Sequence, residues 1–237
     1  MVRTYFEQRL HQLQDTVLEL GSMVDKSLHQ AMDALRWHDL ALSQAVINKG
    51  QAISLKRLAV ERDGCELIAD FKPEEPVLRL VTSVIAIAGE LDSMGHRARG
   101  IARISQFTTE HLIYKTLIDL NRMAEKCSFM LNASLDAFLS QDEEHARNVA
   151  ASDEYINNLY DTLYEELVKT FSSGGDNARY ANYLLWVIQN LEQFGDQVVN
   201  VCERIVFIAS GNSVLLHNSC PANPPYPQTG ASLEFEW

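Results

Sequence analysis

The chain has 237 residues, 46% of them hydrophobic, and carries a net charge of −12. That length allows one large domain or two smaller ones around a sizeable core. The excess of acid argues against a nucleic-acid backbone or an anionic membrane surface as a direct partner, since both are polyanions.

The opening, MVRTYFEQRL, lacks the apolar stretch of a secretory signal, and no apolar run reaches the length of a membrane span. Cys65, Cys127, Cys202 and Cys220 lie far apart with no C-x-x-C pair. A reducing cytoplasm without direct membrane insertion is the simplest home for such a chain.

Proline placement divides the rest. Pro73 and Pro76 interrupt a long proline-free stretch, and the next is Pro221. Long proline-free segments with helical periodicity read as long helices. The first is expected over Tyr5–Arg36, where Leu10, Leu13, Val17, Leu20, Val24, Ser27, Ala31 and Ala34 recur at threes and fours. Asp39 is suited to cap a second helix reaching about Asp70. Pro73 suits the first position of a third, to about Phe107, with Glu74 and Glu75 at its positive end.

The pattern then restarts. Thr109 and Glu110 are expected to open a fourth helix to about Leu139, with a seam from Ile113 to Phe138. Asp142 is expected to cap a single fifth helix ending at Ser172–Gly175, and Asp176 a sixth ending near Ser210, before Gly211. The fold class is therefore all-α, two tandem three-helix bundles of long antiparallel helices. The units are 3–108 and 109–211, followed by a proline-rich tail, 212–237, read as extended or disordered. Leu233, Phe235 and Trp237 alternate with Glu234 and Glu236 at its end, a pattern that suits a strand or a groove-docking segment.

The candidate site lies in the sixth helix. In NLEQFGDQVVNVCER, residues 190–204, Glu192, Asp196 and Asn200 follow at steps of four and so share one face. Like charges at that spacing repel by roughly 0.2–0.5 kcal/mol, so a metal cation or a neighbouring Arg or Lys is the expected partner. Gly195, between the acids, points to close approach of another element. The phrase recurs at ELDSMGHRARGIARI, residues 90–104, where Asp92 and His96 stand in place of Glu192 and Asp196, and Gly100 in place of Asn200. LHQAMDAL at 28–35 and LNASLDAF at 131–138 extend the repeat. The matching third helices are expected to bring Asp92 and His96 near Glu192 and Asp196. The alternative for the acids is a solvated face, or pairing with Arg97, Arg99 or Arg204. Trp186 is expected to pack within the bundle. Asp142 and His145 have the spacing of a metal pair, but a helix cap explains Asp142 better. No Glu-x-x-His pair of the ferritin-like kind, no P-loop, no dinucleotide fingerprint and no nucleophile elbow occurs, so di-iron, nucleotide-dependent and nucleophile chemistry find no support in the motifs.

Two three-helix repeats, each with this third-helix phrase, resemble the PhoU family of phosphate-uptake regulators. The likeness is closest at LEQFGDQVVNVCERI, 191–205, and at the opening, 5–35, and covers residues 3 to about 211. The resemblance implies a cytoplasmic, non-enzymatic homodimer. It implies an adaptor between a phosphate ABC transporter, through its ATPase subunit, and a sensor histidine kinase, restraining the phosphate-starvation response when phosphate is plentiful. It also implies metal ions (Fe, Zn, Mn or Mg) at Glu192, Asp196 and Asn200, with Asp92 and His96 as a first-repeat remnant. Two other readings stand beside it: a metal-binding or metal-storage bundle, and a metal-free scaffold of another transporter or signalling complex.

Overall fold

A computed structural model describes residues 2–107, 114–172 and 176–217. Among them there are seven α-helices and no strand. They are α1 (Val2–Trp37), α2 (Leu40–Phe71), α3 (Glu75–Ser105), α4 (Tyr114–Ser140), α5 (Glu143–Ala151), α6 (Glu154–Ser172) and α7 (Asp176–Ser210). Helices α1, α2 and α3 pack on one another, and α4, α5 and α6 pack around α7. The two sets meet mainly where α3 lies against α7, and secondly where α1 lies against α4. Val17, Leu20, Val24, Ala31 and Ala34 of the predicted α1 seam are all buried, as are Leu120, Cys127, Leu131, Ser134 and Phe138 of the α4 seam.

The helix ends follow local chemistry. Asp39 Oδ1 accepts the backbone N–H of Leu42 at 2.9 Å, and Asp142 Oδ1 that of His145 at 2.9 Å, so both are caps. The α7 stop is Gly211, at φ +76°, a conformation that suits glycine.

Three expectations need correction. Pro73 lies before the third helix; Glu74 is its N-cap and Pro76 falls in the first turn. The expected single fifth helix is two, because the chain turns at Ser152–Asp153, where Ser152 N–H bonds to Val149 O and Asp153 N–H to Ala150 O. Residues 212–217, expected to be extended or disordered, form neither helix nor strand but are packed: Val214 and Leu216 lie against the core. Thr109 and Glu110, and the alternating end at 233–237, lie outside the described residues.

The cross-repeat contacts are specific. Ser128 Oγ on α4 donates to Asp25 Oδ1 on α1 at 2.6 Å. Gly21 on α1 leaves the space that Leu135 of α4 fills.

Candidate functional site

Helices α3 and α7 run antiparallel, with their repeated phrases level. Asn200 Nδ2 donates to Glu90 Oε2 at 3.2 Å, and Asn190 Oδ1 lies 2.7 Å from where a Cβ on Gly100 would stand. The two motif glycines face away from this seam, each toward the second limb of its own unit. A Cβ on Gly95 would meet Ile53 of α2 at 3.0 Å. One on Gly195 would meet Asp153 Oδ1 at 2.5 Å and Ile156 of α6 at 3.0 Å.

In the second unit this close approach brings a third acid to Glu192 and Asp196. Asp153 is 6% exposed; its Oδ2 accepts from Asn157 Nδ2 at 3.2 Å, and its Oδ1 has no hydrogen-bond partner. Burial, then the charge of Asp196, push its carboxyl up to about 6. Burial, then Asp196 and Asp153, push Glu192 up to about 7, against a lowering by Arg97 of α3. Asp196 is also raised by burial, offset by His217. Burial is the first cause for all three carboxyls, and like charge adds to it at Asp153 and Glu192.

Asp153 was not among the expected site residues. The signal was present in A-S-D-E, 151–154, where Ser and Asp favour helix boundaries. Reading one unbroken helix hid it.

The first unit answers its acid differently. Asp92 Oδ2 pairs with Arg57 Nε of α2 at 3.2 Å, and its Oδ1 accepts from Ser54 Oγ at 2.8 Å. His96 is half-exposed and its Nδ1 faces the Asp92 backbone O at 2.8 Å, one turn back. Gly50 lies under Arg99, whose Nη1 is 3.0 Å from the position of a Cβ. The offset that aligns 28–35 with 131–138 equates Gly50 with Asp153 (153 − 50 = 103). So the buried acid of the second unit is a glycine in the first, with a guanidinium over it. The expectation that Asp92 and His96 join Glu192 and Asp196 in one place is corrected. Each pair faces its own unit's second limb, since the ridge of Gly95 and Ile53 points one way and that of Gly195 and Ile156 the other.

Asn200 is engaged at both ends, as donor to Glu90 and as acceptor from His217 Nε2 at 2.9 Å. Trp186 is 53% exposed rather than packed within the bundle, because Leu184, Val187, Ile188 and Leu191 take the core-facing stripe of α7. Cys127 and Cys202 are buried, and Cys127 Sγ donates to Leu191 O at 3.3 Å, while Cys65 is exposed.

Tested against a bound cation, the two units differ. In the second, the crowded carboxylates and the bare Asp153 oxygen suit a hard or borderline cation, which Asp153, Glu192 and Asp196 would hold. In the first, Arg57 already satisfies Asp92, and the set does not fit one. Among the described residues no three His, Cys, Asp or Glu side chains converge closely enough to hold a metal as they stand. No described helix is long and apolar enough to cross a membrane.

Comparison with known proteins matches the same architecture. A family model described as the PhoU domain fits twice, over residues 17–105 and 120–205. The chain is 29% identical over 216 residues to the phosphate-specific transport system accessory protein PhoU homolog of Streptococcus pneumoniae serotype 4, covering 91% of this chain and 100% of that one. It is 28% identical over 207 residues to PhoU homolog 1 of Methanothermobacter thermautotrophicus, covering 87% and 94%. The crystal structure of the phosphate transport system regulatory protein PhoU from Streptococcus pneumoniae superposes with a TM-score of 0.83 at 29% identity, covering 88% of this chain and 99% of that one. PhoU from Pseudomonas aeruginosa matches the fold with a TM-score of 0.83 at 24% identity, covering 87% and 100%.

Proposed function

We propose that this chain, which belongs to the PhoU family, is a non-catalytic regulator of phosphate uptake and works by protein contact. In this reading it is a cytoplasmic homodimeric adaptor. One face meets the ATPase subunit of a phosphate ABC transporter and another a sensor histidine kinase, and the complex restrains starvation signalling when phosphate is plentiful. The observation that carries the reading is the doubled family match, set on relatives that the chain covers almost end to end and that are named as phosphate-transport accessory proteins. No reaction is needed for this work; a shift in which partner conformation is bound suffices.

The test is deletion in the native host. Phosphate-responsive transcription should become active in excess phosphate, and the tagged chain should retain the transporter ATPase on a column under the same conditions. Transcription that stays silent after deletion, together with an empty column, would sink the adaptor role.

A second reading concerns the second-unit acids. The partnerless, buried Asp153 Oδ1 supports cation binding by Asp153, Glu192 and Asp196. A cation there would tie α7 to the α5–α6 turn and stiffen the acidic face; it supplies charge and cross-linking, not chemistry. Elemental analysis of the purified chain should find metal that is lost in both Glu192→Ala and Asp196→Ala. Metal retained by both variants would place it elsewhere.

A further inference from the structure

Beyond Ser210 the chain doubles back along α7. The turn is made at Gly211, whose N–H bonds to Phe207 O at 3.0 Å. Leu216 N–H then donates to Glu203 Oε1 at 2.8 Å, and Glu203 is only 9% exposed. His217 Nε2 reaches Asn200 Oδ1 at 2.9 Å while its Nδ1 stands 3.6 Å from Asp196 Oδ1. The partners regress along α7 from 207 through 203 and 200 to 196, so the segment is antiparallel to the helix. Val214 and Leu216 hold it down by packing on the core.

The polarity of Asn200 is fixed by its far end. A carboxylate only accepts, so the amide N–H₂ belongs toward Glu90 and the amide oxygen toward His217. The ring therefore donates to Asn200 and sits between the two groups, Asp196 and Asn200, that the motif presents on one stripe. In the first unit a basic side chain meets the motif one turn earlier, Arg57 on Asp92, the counterpart of Glu192. In the second the basic group arrives on a segment that lies outside both matched repeats, 17–105 and 120–205.

We propose that residues 211–217 are a strap that occupies the second-unit acidic site, with His217 standing where a divalent cation would bind, so that strap docking and cation binding exclude each other. The proposal rests on the cation reading of that site. It makes the tail a built-in competitor: cation uptake frees the strap, and a docked strap keeps the site closed.

The experiment titrates the full-length chain with MnCl₂ and compares it with His217→Ala, reading heat of binding and, separately, amide hydrogen exchange at Leu216. If the strap is docked nine-tenths of the time, its release should tighten apparent Mn²⁺ binding about tenfold in His217→Ala. In the unsubstituted chain, saturating Mn²⁺ should speed exchange at Leu216, whose N–H no longer has a fixed partner. Weaker Mn²⁺ binding in His217→Ala would make the histidine a ligand and overturn the competition. Equal affinity, with Leu216 exchange indifferent to Mn²⁺, would show that strap and site are independent and overturn it too. If neither form binds Mn²⁺ more tightly than a Glu192→Gln control, the cation reading itself fails and carries the strap with it. Circular dichroism of each variant confirms that the helices are intact.

Discussion

Glu192 is where sequence chemistry and burial pull against each other. Its folded pKa of about 7 lies above its ordinary 4.5, chiefly because burial disfavours the charged form. The protonated group's contribution to stability is therefore complete below the ordinary value and is lost as pH rises through the folded one. In metal-free protein, kept so with chelator, the melting temperature of the native chain should fall by a few degrees relative to Glu192→Gln between about pH 5 and pH 8. Parallel melting curves for the two would remove Glu192 from the account. Arg57 makes the complementary case. Asp92 retains 14% side-chain exposure under it. Arg57→Met should destabilise by roughly 1–3 kcal/mol by stranding that carboxylate, and a further Asp92→Asn should restore part of the loss. Urea denaturation of the three variants measures the coupling, and additive losses would mean the pair is not coupled.

At the scale of elements, the glycines separate close approach from mere tolerance. A Cβ on Gly195 would stand 2.5 Å from Asp153 Oδ1, on a short side chain held in the α5–α6 turn. Gly195→Ala should cost roughly 1–3 kcal/mol through overpacking. Gly89, on α3, has nothing within 4 Å of its missing Cβ. Gly89→Ala should stabilise by about 0.5–1 kcal/mol, the ordinary helix gain. Chemical denaturation of both variants checks the opposite signs; a shared sign would mean that propensity outweighs packing at Gly195. The turn at Ser152–Asp153 belongs to the same argument. It separates α5 from α6, and it sets Asp153 against the gap that Gly195 leaves open.

For the whole molecule, the seam of α3 on α7, with α1 on α4 beside it, joins the two units. Asp25–Ser128 and Glu90–Asn200 cross that seam and add direction to its apolar packing. Such a joint predicts that the units unfold together. Trp37 lies at the end of α1 and Trp186 on α7. Two single-tryptophan variants, each with the other tryptophans replaced by Phe, should show the same urea midpoint by fluorescence. Separated midpoints would show that the units are independent cooperative bodies.

The long rods, their seams, the Asp39 and Asp142 caps, the Gly211 stop and the repeated acid phrase were all legible in the sequence. Each rests on short-range rules: a period near 3.6, a side chain that reaches its own helix end, a residue that tolerates positive φ. Family membership was legible for the same reason, since it follows the repeated phrase. What Glu192 and Asp92 each meet was not legible. That depends on how one helix is rotated against another, and no local rule fixes the rotation. Only the packed structure set Asp153 against Gly195, placed Arg57 on Asp92, turned Trp186 outward and laid His217 over Asn200. The three contacts join residues 17, 35 and 42 positions apart (217 − 200, 92 − 57, 195 − 153), and which faces the core buries selects them.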